Sequence, residues 1–98
     1  MFAIIPCASA SATLFCEILK TSDGFVALRA EPNPNARLIA RMHVGDEVLV
    51  DDTPNKPKGW THFTWWKGGR FKAKHEYGYD KPNAVGWAFD RYVGDTCG

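Results

Sequence analysis

Three observations predict an all-β fold of five to six short strands. Apolar and polar residues alternate with period two in several short stretches, Gly, Pro, Asn and Asp clusters separate those stretches, and no segment reads as a good helix. A chain of 98 residues and 10.9 kDa holds one domain and has no room for a second core. Hydrophobic residues at 45% and charged residues at 23% exclude a disordered or low-complexity polypeptide. So short a domain buries only about 60 to 65% of its unfolded surface, which leaves it marginally stable without a crosslink or partner.

The elements follow in order. Residues 13–20 are apolar and β-tolerant. In 24–29, Val26 and Leu28 share one face while Phe25 and Ala27 share the other. Pro32, Asn33, Pro34 and Asn35 keep the 31–36 loop irregular. Residues 37–42 alternate again, with Leu38, Ala40 and Met42 against Arg37, Ile39 and Arg41. Val44, Gly45 and Asp46 turn the chain into a strand over 47–50, and 51–59 is an exposed hairpin connection with two prolines. Residues 60–66 form a strand by composition, Lys67, Gly68 and Gly69 a turn, and 80–83 a second turn before a last strand over 86–92. This pattern predicts one core shared by Val26, Leu28, Leu38, Val48, Val50, Trp60 and Trp87, with Phe63 beside them. Trp65 and Trp66, adjacent on a strand, must point to opposite faces.

The net charge of +1 conceals a dipolar chain. Residues 1–52 carry four Lys/Arg against seven Asp/Glu, and residues 53–98 carry eight against four. Lys56, Lys58, Lys67, Arg70, Lys72 and Lys74 form a run without an acid, suited to steering an anionic partner. Ten of the thirteen aromatic residues lie between Trp60 and Tyr92, so charge and aromatic area coincide.

The first fifteen residues carry no charge, and the run is too short for a membrane span of about 20 apolar residues. Small-x-small triplets at Ala8 to Ala10 and Ala10 to Ala12 make residues 1–12 read as a secretory leader that lacks a basic n-region, with an ordinary first strand as the alternative, and 13–98 as the domain. Loss of Cys7 with that leader leaves Cys16 and Cys97, an even pair near the two ends. In an exported protein they are expected to form a disulfide, constraining a loop of about 80 residues by about 4 to 5 kcal/mol.

Asp23, Gly24, Phe25, Val26, Ala27, Leu28, Arg29, Ala30, Glu31 and Pro32 resemble the opening motif of bacterial SH3 domains. Leu38 and Ile39 with Gly45, Asp46, Val48 and Val50 resemble the second block, Gly59, Trp60 and Phe63 the third, and Gly86, Trp87, Tyr92 and Val93 the fourth. The resemblance covers about residues 16–93 and implies a small SH3-like barrel with a binding rather than a catalytic role. Members of that family are commonly associated with cell-wall peptides, glycans or envelope proteins. The chain departs from the plain family pattern between Trp65 and Val85, so the expected fold is an SH3-like barrel with a long insertion before the last strand.

No residue pattern points to catalysis. His43, His62 and His75 lack paired Cys or carboxylate at metal-ligand spacing, no serine sits in a nucleophile elbow, and Gly68 and Gly69 lack the helix a phosphate loop needs. The expectation is a non-enzymatic monomer without cofactor or metal, exported to the periplasm or beyond, that binds a cell-wall component or an envelope protein. A regulatory protein-interaction module is the alternative, and a single-stranded nucleic-acid barrel a third reading that export disfavours. The expected ligand surface comprises Trp65 or Trp66, Arg70, Phe71, Lys72, Tyr77 and Tyr79, with the 31–36 loop beside it, because loops on a rigid barrel carry binding.

Overall fold

The structure, a computed structural model, describes residues 15–72 and 78–94. The strands are β1 (Phe15–Glu17), β2 (Val26–Arg29), β3 (Leu38–Met42), β4 (Glu47–Asp51), β5 (Trp60–Trp66) and β6 (Ala84–Phe89), followed by a 3-10 turn at Asp90–Tyr92. All pair antiparallel in one sheet of order β1-β4-β5-β6-β2-β3. Among the described residues no pairing joins β1 to β3, so the sheet is not closed. It curls nonetheless: Cys16 on β1 and Met42 on β3, from the two ends of the strand order, share one buried cluster with Val26, Leu28, Val48, Phe63, Trp65, Ala88 and Val93. The domain is therefore all-β and barrel-like, with its core inside the curl. No helix among the described residues is long and apolar enough to cross a membrane.

Period-two alternation explains which residues turn inward. On β5, Phe63 and Trp65 face the core while His62, Thr64 and Trp66 face outward, and on β4 Val48 sits opposite Trp65. The β3–β4 turn depends on Gly45, whose φ of 102° lies where a side chain is strained. Asp46 closes this turn, its amide donating to the His43 carbonyl at 2.9 Å and its Oδ2 accepting from the His43 amide at 2.8 Å.

Three expected core residues lie elsewhere. Leu38 is half-buried because the β2–β3 register shifts between Leu28 and Arg29, so that Leu28 faces Ala40 but Arg29 faces Leu38. That bulge sends Ile39 onto the core in place of Leu38. Trp87 is half-buried on the outer face because Gly86 sits opposite the inward Phe63, and adjacent residues on a strand point oppositely. Trp60 is buried, but on that same outer face, where its ring lies 4.2 Å from Phe89. The last strand also ends sooner than its composition predicts. The Asp90 amide bonds the Gly59 carbonyl at 3.0 Å, and the Val93 amide then bonds back to Asp90 at 3.1 Å.

Candidate functional site

The connection between β5 and β6 is laced to the sheet. The Gly68 amide donates to Asp46 Oδ1 at 2.7 Å, the Asn83 amide to the Trp65 carbonyl at 2.8 Å, and the Lys67 amide to Asn83 Oδ1 at 2.8 Å. Trp65 points inward, 8% exposed, with its indole N–H donating to Asp46 Oδ2 at 3.0 Å. It is a core residue and presents no surface for a ligand. Trp66 is 3% exposed on the opposite face, where Phe15 and Tyr79 cover it and its indole N–H donates to the Asp80 carbonyl at 2.6 Å.

Arg70 is held internally. Its Nη1 lies 2.6 Å from Glu47 Oε2, its amide donates to Glu47 Oε1 at 3.0 Å, and its guanidinium lies 3.8 Å above the centre of the Phe15 ring and 4.6 Å from that of Phe71. Of the expected ligand surface, Phe71 (61% exposed), Tyr79 (45% exposed) and Lys72 reach solvent. Tyr77 lies outside the described residues, as do Lys74, His75, Cys97 and the leader segment. The basic run is also divided. Lys56 donates to the Trp60 carbonyl at 3.1 Å and to Thr61 Oγ1 at 2.8 Å, and lies 3.7 Å from Asp90. Arg70 sits at the other end of β5, about 20 Å away at ~3.4 Å per residue.

A concave site lies at the Trp60 end. A groove of about 410 Å³ is walled by Phe25, Trp60, Phe89 and Tyr92, with Pro34 from the 31–36 loop at its side. Its charged residues are Lys20, Arg29 and Arg91 against Asp23, an excess of positive charge. The Thr21 hydroxyl holds the β1–β2 loop by donating to the Phe25 carbonyl at 2.9 Å, and Arg29 Nη1 donates to the Ala36 carbonyl at 2.9 Å, tying the second loop to the sheet. Arg91 lies over Tyr92 and Phe89, at 4.9 and 5.5 Å from their ring centres. The 31–36 loop, expected beside a surface at residues 65–79, contributes Pro34 to this different groove, whose other walls belong to no site that the sequence predicts. The signal that points to them is the Phe89, Asp90, Arg91, Tyr92 cluster after the last strand, joined by Phe25 from far upstream.

The outer face of the sheet carries a polar row. His62 Nδ1 donates to Asp51 Oδ2 at 2.8 Å, since a carboxylate offers only acceptors, and the Thr64 hydroxyl reaches both Asp51 oxygens at 3.0 Å. His62 packs against Trp87 with ring centres 5.2 Å apart and planes at 78°. The Thr64 hydroxyl thus donates to Asp51 and not to His62. Among the described residues no group of three or more His, Cys, Asp or Glu is placed to hold a metal ion.

Fold and site together define a small antiparallel β domain with an aromatic, positively charged groove at one end. Comparison of the chain with protein families, with characterised proteins and with solved structures finds no match in any of the three.

Proposed function

We propose that this chain is a non-catalytic, extracytoplasmic binding module of the bacterial cell envelope, and that its groove holds a carboxylate-bearing segment of a cell-wall peptide or glycan. The groove carries this reading. Aromatic walls supply contact area at low entropy cost, and the excess of Lys20, Arg29 and Arg91 over Asp23 favours an anionic group. The envelope assignment rests on the bacterial SH3 resemblance and the uncharged amino-terminal run. Purified cell-wall sacculi should retain the protein at low salt, and the Lys20→Glu/Arg91→Glu variant should be retained about tenfold less, equivalent to about 1.4 kcal/mol. Full retention of the variant would remove the groove from the reading. Capture by one envelope protein with none on sacculi would favour the regulatory interaction module, for which Phe71 and Tyr79 offer exposed aromatic area.

The proposed export carries with it the Cys16–Cys97 disulfide. Support comes from the pairing of Ile18 with Val93 and from the Gly94 amide, which donates to the Glu17 carbonyl at 2.8 Å. Cys97 is three residues beyond Gly94, a reach of about 10 Å at most, and Gly94 already touches the neighbour of Cys16. Non-reducing peptide mapping of protein from its native compartment should recover the two cysteines in one linked fragment, and reduction should lower the unfolding midpoint. Two alkylatable thiols in that material would overturn the pairing.

A further inference from the structure

A second candidate site lies on the outer face of the sheet. Arg29 on β2 pairs in register with Trp87 on β6, Trp87 with His62 on β5, and His62 with Asp51 on β4. Paired residues share a face, so four adjacent strands place these side chains in one row about 14 Å long, at ~4.8 Å per strand. We infer that this row is a subsite for a neutral oligosaccharide, with Trp87 as the plate under the sugar rings and Arg29, His62 and Asp51 as partners for its hydroxyl and amide groups.

The chemistry of the row selects that ligand. Trp87 keeps part of its surface in water although it is a large apolar residue. Side chains at its two sides offer opposite hydrogen-bonding character. Asp51 is an acceptor whose carboxylate is oriented by Thr64 and His62, with its side chain 27% exposed. His62, 26% exposed, uses Nδ1 on Asp51 and leaves Nε2 for a ligand. Arg29 commits Nη1 to the Ala36 carbonyl and retains its other donors. A sugar ring matches this arrangement, having an apolar C–H face for the indole and hydroxyls that both donate and accept at its rim. A phosphate chain would meet the Asp51 carboxylate, and an apolar peptide would desolvate Asp51 and Arg29 without satisfying them. Regular strands, not loops, supply all four residues, so the row is preorganised.

The row also continues the groove. Arg29 lines both, and Trp60 and Phe89 lie one step along β5 and β6 on the same face as His62 and Trp87. Resting on the binding-module reading, this continuity makes the groove the place for a charged substituent and the row the place for the neutral glycan that bears it.

The probe is the tetramer of β-1,4-linked N-acetylglucosamine, which carries no charge. In NMR titration of the full chain, the Trp87 indole and His62 ring signals should shift. Trp87→Ala should weaken binding at least about tenfold, and Trp87→Tyr, which keeps an aromatic plate, should restore most of it. Asp51→Asn should weaken binding too, with the amide spectrum showing each variant folded. Lys81→Glu, an exposed substitution outside both the groove and the row, should bind the tetramer within about twofold of the parent. Absence of binding by the parent, or unchanged affinity in folded Trp87→Ala, overturns the inference and leaves the groove reading standing. Tetramer binding without any retention on sacculi upholds the row and sinks the groove reading.

Discussion

Replacing Asp46 with Ala is expected to cost about 3 to 5 kcal/mol, enough to unfold much of so small a domain. Asp46 is 5% exposed and accepts from three donors on three segments: the His43 amide in the β3–β4 turn, the Trp65 indole in the core and the Gly68 amide after β5. Alanine leaves all three without this partner. A buried donor left unsatisfied costs about 1 to 3 kcal/mol, and Trp65 cannot turn to water without opening the core. The cost exceeds that of a typical surface substitution because one carboxylate joins the turn to the insertion. Asp46→Asn keeps the shape and the acceptor oxygen but sets an NH2 group against one donor, so it should lose about 1 to 2 kcal/mol. Urea unfolding followed by tryptophan fluorescence measures both; a loss below about 1 kcal/mol for Asp46→Ala would show that water replaces the carboxylate.

Gly86→Ala is expected to destabilise by about 3 kcal/mol, through crowding rather than loss of a contact. A Cβ at this position would stand 2.7 Å from the Arg29 carbonyl oxygen, 2.9 Å from Leu28 Cγ and 3.1 Å from Ile39 Cδ1. The nearest of these atoms is backbone, so relief requires moving β2 away from β6. That joint is narrow, with Arg29 and Trp87 its one registered pair. Gly59→Ala provides the contrast. Gly59 has a φ of 86°, and an added Cβ there would meet no heavy atom within 4 Å beyond its chain neighbours, so a methyl group meets only backbone strain of about 1 kcal/mol. Thermal unfolding should rank the two variants in that order. Equal midpoints would show that β2 moves freely. Because Gly86 sets the approach of Arg29 to Trp87, Gly86→Ala should also disturb the outer row in whatever fraction stays folded.

Most strands were legible because their signal is local. Val26 and Leu28 alternate with Ala27 and Arg29, and the run from Trp60 to Trp66 is rich in β-branched and aromatic residues. The candidate site was less legible. Arg70 read as a free cation within a basic run, yet its counter-ion Glu47 lies 23 positions away on β4 and its nearest ring, Phe15, belongs to β1. Trp65 and Trp66 lie on opposite faces, as adjacency on a strand requires; their burial on both faces depends on Phe15, Tyr79 and Asp46, none of which alternation describes.

By itself the sequence determined a single all-β domain, the location of its turns, the two-sided character of each strand and the long connection between β5 and β6. Period two requires no knowledge of the neighbouring strand. Only the tertiary structure decided which side of β6 meets the core, because a one-residue difference in register exchanges Gly86 with Trp87. It likewise decided that a bulge turns Leu38 out and Ile39 in, that the groove unites Phe25, Trp60, Phe89 and Tyr92, and that Arg29, Trp87, His62 and Asp51 form a row. Those arrangements depend on cross-strand pairing between distant segments, where packing and hydrogen-bond satisfaction of the whole sheet select one register.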